Sequence, residues 1–522
     1  VRRKAVMVRT RILALAAATL TAVTVAPVVP VAAATTLSNT GFESGGATAA
    51  PAGWTEYGQA AASFTEAGGH SGGLHLAHYA AGAYQTETYQ YLSGIANGTY
   101  TLWAWVRSGG GQNAAYIALR NCGSSEARTA LPATSTWQEI SVTAQVTSGQ
   151  CTVSLVSDAR TGNWANFDDV RLTRAGSSGS AISIRGADLS TLKKAEDRGA
   201  VHRDAGGTRR DAVQILRSSG VNYARLKVWV DPADGYNTRA QVLTMARRAK
   251  ASGMKLLIDF HYSDAWADPG QQHKPRAWAG YSVSRLSRAV YDHTYDVLDA
   301  LKAQGTTADM VQVGNEINDG MLWPEGRSNN WANLAAFLKS GVSAVKAVNG
   351  STRVMLHLAE GGNNTQHRWW FDQAVSRGVP FDVIGVSHYL YWHGPAASLQ
   401  ANLTDLSQRY NRDVLVAETS YGFTLAQDDG LANVFNPALQ RTAGFAATPA
   451  GQSEALLAVM NAVRAVPNGR GLGIMYWEPT WTAVPGNGWD PADASSGNGW
   501  ENQAVFDYAD RALPALAVLG SR

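Results

Sequence analysis

A (β/α)8 barrel preceded by an all-β jelly-roll sandwich is the fold this sequence predicts, and three observations predict it. From residue 182 onward, short apolar runs alternate with amphipathic helical stretches about eight times, the number of βα units that closes a barrel. Between 35 and 174 the pattern is apolar-polar alternation broken by turn residues, the period of half-buried strands. Residues 175–181, Ala175-Gly-Ser-Ser-Gly-Ser-Ala181, have linker composition and cannot pack a core.

Length and composition agree with two globular units. The chain has 522 residues, more than one core usually spans, and 45% hydrophobic against 16% charged residues excludes disorder and coiled coil. Two cysteines exclude a disulfide scaffold or a cysteine-rich metal protein. Residues 1–34 read as a secretory signal peptide: Arg2, Arg3, Lys4, Arg9 and Arg11 precede an apolar stretch that ends in Ala32-Ala33-Ala34. Pro27 and Pro30 weigh against the alternative, a membrane anchor. Without those five cations the formal charge of +3 turns faintly acidic, so no nucleic-acid partner is expected. The expectation is an extracellular, monomeric protein that is off the membrane once the leader is removed.

In the sandwich region, runs such as Tyr100-Thr-Leu-Trp-Ala-Trp-Val106 and Thr152-Val-Ser-Leu-Val156 predict strands. Trp103 and Trp105 lie two apart and share one face, which we read as core rather than a sugar platform. In the barrel, 182–522, strands are predicted at 182–188, 223–230, 255–262, 310–317, 353–360, 382–389, 413–419 and 471–478. Helical stretches such as 240–251, 286–301 and 454–466 fall between them.

Each predicted barrel strand begins apolar and ends polar or aromatic, and the strand C-termini are where a barrel of this kind carries its chemistry. Strand four ends Val311-Gln-Val-Gly-Asn-Glu316 and strand seven ends Val414-Leu-Val-Ala-Glu-Thr419, which places Glu316 and Glu418 on opposite walls of the mouth. Two such carboxylates can flank a glycosidic bond, one as acid/base and one as nucleophile, provided their environments separate their pKa values. Arg225 and Lys227 alternate with Leu226 and Val228, so one of the two is expected inside, and Arg225 there would orient a carboxylate. Asp188, His261, Asn315, His388, Tyr389, Trp477 and Glu478 supply hydrogen-bonding groups and aromatic faces at the same rim, which suits a sugar. No His-Glu-x-x-His, Gly-Lys-Ser/Thr loop or Gly-x-Ser-x-Gly elbow competes with this reading.

The barrel region resembles the arabinogalactan endo-β-1,4-galactanases of glycoside hydrolase family 53. The segments that carry the resemblance are Arg185-Gly-Ala-Asp-Leu-Ser190, Tyr223-Ala-Arg-Leu-Lys-Val-Trp-Val-Asp-Pro232, Asp259-Phe-His-Tyr-Ser-Asp-Ala-Trp-Ala-Asp-Pro-Gly270, Val311 to Glu316 with Gly320-Met-Leu-Trp-Pro324, and Tyr476-Trp-Glu-Pro479. The resemblance implies a retaining endo-hydrolase of plant cell-wall galactan and arabinogalactan that needs no catalytic cofactor. It makes Glu316 the acid/base, Glu418 the nucleophile and Asn315 the partner of the sugar 2-hydroxyl. Rival readings are a β-mannanase or β-glucanase of the same clan, or a non-catalytic galactan binder. The run Ser387-His-Tyr-Leu-Tyr-Trp392 departs from the family at His388 and Leu390, which touches subsite preference rather than reaction type.

Family members also suggest a structural calcium in the loop after strand seven, where Asp428, Asp429 and Asn433 offer oxygens. The first domain resembles jelly-roll carbohydrate-binding modules through Asn39-Thr-Gly-Phe-Glu43, Gly53-Trp54 and Asn166-Phe-Asp-Asp-Val170, with galactan the natural ligand and with Glu43 and one of Asp168 or Asp169 as candidate calcium ligands. In an exported protein Cys122 and Cys151 are expected to pair.

Overall fold

The computed structural model describes residues 37–70, 72–174 and 181–521. The expected leader, 1–34, and most of the linker lie outside the described residues.

The first domain is two five-stranded antiparallel sheets packed face to face. One has the order β1 (Thr55–Gly58), β4 (Tyr84–Ser93), β9 (Gln150–Ala159), β6 (Ala114–Arg120), β7 (Ala127–Ala130). The other has the order β2 (Ser63–Ala67), β3 (Leu74–Tyr79), β10 (Trp164–Arg174), β5 (Gly98–Ser108), β8 (Thr134–Val146). Alternation sends Leu102, Ala104 and Val106 of β5 inward against Ile117, Leu119, Val153 and Leu155 of the facing sheet.

Trp103 and Trp105 therefore point outward, and the expectation that they are core is corrected. Trp105 stacks on His70 with centroids 3.7 Å apart, while Arg171 covers Trp103 at 4.7 Å and Arg107 covers the neighbouring Trp137 at 4.5 Å.

Cys122 and Cys151 are joined. Closing a loop of 29 residues constrains the unfolded chain by about 3.5 kcal/mol in the chain-entropy account. Cys122→Ala/Cys151→Ala is accordingly expected to lower the melting temperature of the sandwich while the barrel transition stays in place. Calorimetry of the full chain reads both, and an unchanged sandwich transition would show that the bond adds no stability.

The second domain is a closed barrel of eight parallel strands in sequence order: β11 (Ile184–Asp188), β12 (Tyr223–Val228), β13 (Lys255–Phe260), β14 (Met310–Val313), β15 (Arg353–Leu358), β16 (Val383–Ser387), β17 (Asp413–Thr419) and β18 (Gly471–Tyr476). Helices cover it, and the longer ones are amphipathic for that purpose. In the helix Val283–Ala303, Leu286, Val290, Val297 and Leu301 recur on one buried stripe. Among the described residues no helix is long and apolar enough to cross a membrane.

Inward positions stack in layers. The floor is apolar: Ile184, Tyr223, Leu257, Met310, Met355, Val383 and Leu415 fill it. Gly186 is needed there, because a Cβ at this position would fall 1.9 Å from the sulfur of Met475. Two or four residues further along six of the strands the inward side chains become polar: Asp188, Arg225, Asp259, Gln312, His357 and Ser387 are all buried.

The strands start within two residues of the predicted positions, but several end earlier. Pairing stops at Phe260, Val313, Leu358 and Tyr476, and shortly beyond it Tyr262, Glu316, Glu360 and Glu478 take left-handed backbone with φ of 53°, 47°, 63° and 48°. The chain thus leaves the sheet just where its polar ends begin.

Candidate active site

Arg225 is the hub of the polar layer. It is 1% exposed, and its guanidinium lies 2.6 Å from Asp188 Oδ2, 2.9 Å from Asp259 Oδ2 and 2.9 Å from Glu418 Oε1. It also donates to Asn315 Oδ1 at 2.8 Å. Arg combines a delocalised charge with several donors in one fixed plane, so that Nη1 bonds Asp188 while Nη2 faces Asp259, Glu418 and Asn315 together. Glu418 is completed by the Tyr389 hydroxyl, which donates to Oε2 at 3.0 Å. Burial, partly countered by Arg225, brings Glu418 up to about 7, with Asp259 and Asp188 adding to the rise. Burial would raise Asp259 too, but Arg225 and His261 hold it below its ordinary value.

Glu316 sits across the mouth in left-handed backbone, a conformation that costs a non-glycine residue of order 1 kcal/mol and persists only where its surroundings enforce it. They do so here. Gln272 Nε2 donates to Asn315 O at 2.7 Å, Ile317 N donates to His357 O at 3.0 Å, and Trp370 Nε1 donates to Ile317 O at 2.9 Å. Burial first, then the charge of Glu418, lifts Glu316 well above the usual carboxylate range. Asn315 spends one amide hydrogen on Ala267 O at 2.8 Å and has a second for a ligand.

The strand period puts Arg225 and Lys227 on the same face, so both enter the barrel, not one of them. Lys227 Nζ lies 3.0 Å from Glu478 Oε1 and 3.6 Å from the centre of the Trp266 ring. Glu478, which also accepts from Thr191 N at 3.1 Å, is raised to about 7, by burial first. His261 is committed within the protein: Nε2 meets Asp259 Oδ2 at 3.0 Å while Nδ1 accepts from Trp229 Nε1 at 3.2 Å.

His388 is the predicted residue that the structure does not bring to this group. Ser387 points into the barrel, so the next side chain points out, and His388 packs against Gly361 and His393.

Above the carboxylates stands a wall of indoles. Trp477 is half-buried, 4.6 Å from Trp500, 5.6 Å from Trp266 and 5.9 Å from Trp481, and Trp392 continues the row at 5.9 Å from Trp500. Only Trp477 is named by the sequence reading.

The two calcium expectations find no support. Asp428 N donates to Glu501 Oε1 at 2.6 Å, Asp429 Oδ1 accepts from Leu431 N at 2.8 Å, and Asn433 Nδ2 donates to Ala426 O at 2.8 Å, so the loop closes on itself. Glu43 accepts from Leu74 N at 2.9 Å, and Asp169 Oδ2 lies 2.6 Å from His70 Nδ1. Among the described residues no group of three His, Cys, Asp or Glu is placed to hold a metal ion.

This buried polar layer gives the fold a specific acid response. Burial takes His367 down to about 4 and His388 to about 3, and puts His357 well below 6.5, so as pH falls from 6.5 the unfolded chain takes protons that the folded one refuses. Glu316, Glu418 and Glu478 work the other way: the folded chain takes their protons first, so lowering the pH from 7 to 4.5 favours folding. His293 and His393, each taken down to about 4, and Glu454, brought up to about 7, join the two sets. The glutamate contribution is complete at 4.5, and below that the histidine loss continues alone at up to about 1.4 kcal/mol per residue per pH unit. Thermal melts are therefore expected to fall most steeply below pH 4.5. A melting temperature that holds between pH 4.5 and 3.5 would contradict this.

Comparison with known proteins places the barrel. The family model for glycosyl hydrolase family 53 matches residues 184–519. The arabinogalactan endo-beta-1,4-galactanase of Humicola insolens is 34% identical over 346 residues, covering 65% of this chain and 99% of that protein. The endo-beta-1,4-galactanase of Bacillus subtilis is 33% identical over 369 residues, covering 64% and 85%. Among solved structures, the Ignisphaera aggregans GH53 catalytic domain is 41% identical with a TM-score of 0.62, covering 65% of this chain and 95% of that one. With the family model spanning most of the chain and the barrel built as described, this protein belongs to glycosyl hydrolase family 53.

Proposed function

We propose that the barrel is an arabinogalactan endo-β-1,4-galactanase that cleaves galactan with retention of anomeric configuration. The relatives' activity supports the substrate. The observation that carries the mechanism is the contrast between two buried glutamates: Glu418 is held by Arg225 and Tyr389, whereas Glu316 makes no ion pair among the described residues and holds its proton more tightly.

In the first step a Glu418 carboxylate oxygen bonds to the anomeric carbon as the glycosidic bond breaks, and Glu316 gives its proton to the departing oxygen. In the second, Glu316, now ionised, takes a proton from water, whose oxygen displaces Glu418 and restores the β configuration. The free amide hydrogen of Asn315 serves the 2-hydroxyl, and Trp477 with its neighbours gives the apolar sugar faces a surface to lie on.

The sandwich acts as a carbohydrate-binding module, with Trp103, Trp105 and Trp137 on one outer face, and the protein works outside the cell. Reducing-end release from β-1,4-galactan, mannan and cellulose tests the substrate, and galactan alone is expected to be cut. Proton NMR of the first products tests the mechanism: initial release of the α-anomer would exclude retention.

A further inference from the structure

Behind Glu316 runs a chain of buried side chains whose hydrogens can be assigned one by one. Arg225 donates to Gln312 Oε1 through Nε and Nη2, both at 3.3 Å, and a guanidinium cannot accept. The amide of Gln312 is thereby oriented with Nε2 away from Arg225. From there it reaches Asn315 Oδ1 at 2.8 Å and His357 Nδ1 at 2.9 Å, one partner for each of its two hydrogens. Asn315 Oδ1 also receives Arg225 at 2.8 Å, so both of its lone pairs are filled and it has none for a hydrogen on His357 Nδ1. His357 Nδ1 is therefore an acceptor. The ring is fully buried and neutral, so its one hydrogen is on Nε2, which lies 2.9 Å from Ser387 Oγ. The bond from Ile317 N to His357 O, 3.0 Å, holds Glu316 beside this strand, and with its oxygen accepting from His357 the Ser387 hydroxyl has its hydrogen for Glu316, which it bonds.

We propose that His357 and Ser387 are positioning residues for the reaction: they form a relay of fixed polarity that starts at Arg225, the residue gripping Glu418, and ends in a hydroxyl donating to Glu316. This rests on the reading of Glu316 as the acid/base. The relay matters in the second half of the cycle. There Glu316 must exist as a buried carboxylate long enough to take a proton from water, and a donated hydrogen bond stabilises the ionised form specifically. It also couples the two glutamates, since the orientation of Gln312 depends on Arg225.

Ser387→Ala is expected to shift the alkaline limb of kcat/KM upward by about one pH unit, because Glu316 without its donor holds its proton more tightly. With an aryl β-galactoside whose leaving group needs no proton, kcat and KM are expected to fall together about tenfold, as the glycosyl-enzyme accumulates. Ser387→Thr, which keeps the hydroxyl, is expected to restore the wild-type limb. His357→Ala is expected to move the limb the same way, and the double variant no further than either alone. The Glu316 carboxyl carbon, observed by 13C NMR in glutamate-labelled protein and assigned by its loss in Glu316→Gln, reports the same shift without any turnover.

A limb and an NMR titration in Ser387→Ala that coincide with wild type would overturn the relay. Wild-type protein that leaves galactan uncut, or a fully active Glu316→Gln, would instead overturn the reading on which it rests. Should His357→Ala fail to fold, Ser387→Ala and Ser387→Thr still decide the question.

Discussion

Glu418→Gln is expected to abolish galactan turnover, by four orders of magnitude or more, and to leave the fold at least as stable as before. The loss follows from the chemistry: an amide oxygen cannot form and release the glycosyl ester, and among the described residues no other carboxylate is placed to substitute, because Asp188 and Asp259 are both held by Arg225 deeper in the barrel. The stability follows from charge. One guanidinium faces three buried carboxylates, and burial with the two aspartates already disfavours an ionised Glu418. Glutamine keeps the shape and an oxygen for the Tyr389 hydroxyl, and leaves Arg225 facing two carboxylates. The melting temperature should therefore hold or rise, the signature of a site whose function works against the fold. Turnover within tenfold of wild type would disprove the nucleophile assignment. Lost activity with a sharply lowered melting temperature would mean that Glu418 is structural instead.

The barrel was legible because each strand is short, apolar and followed by an amphipathic helix, and the floor residues are those that the period predicts. Asp259, Gln312, His357 and Ser387 were not assigned to the site although the signal was present. Leu257, Met310, Met355 and Val383 are floor residues, and stepping two or four positions along those strands meets a polar residue each time. The same parity shows why Arg225 and Lys227 enter together, and why His388, one residue beyond inward Ser387, cannot join them.

Other features had no such signal. The left-handed backbone at Glu316 and Glu478 is fixed by hydrogen bonds from distant segments, and Trp266 and Trp500 reach the indole wall from loops with no period. In the sandwich, alternation put Trp103 and Trp105 on one face but did not say which face met the other sheet. The acidic turn at Asp428 and Asp429 reads like a calcium loop until both carboxylate oxygens of Asp429 are seen to accept from backbone amides.

Arg225→Met should have the largest combined effect on stability and activity. Methionine occupies similar volume but withdraws the guanidinium facing Asp188, Asp259 and Glu418, and removes the donors that Asn315 and Gln312 use. Breaking a buried ion pair from one side costs about 3–5 kcal/mol, because the partner is left charged without compensation. The carboxylates escape part of that cost by taking protons, so their pKa values rise in the variant. Groups whose folded pKa is raised favour folding at low pH and oppose it as pH increases. The difference in melting temperature between wild type and variant should accordingly be largest near pH 8 and shrink toward pH 5. Activity should be lost even where the variant is folded, since a protonated Glu418 is no nucleophile. Arg225→Lys separates the two effects: a single cation recovers part of the stability but lacks the fork that grips three carboxylates and aligns Gln312. Its melting temperature should lie between those of wild type and Arg225→Met while its kcat stays close to the methionine variant's. A lysine variant that regained both would show that charge alone, not the geometry of the guanidinium, organises this site.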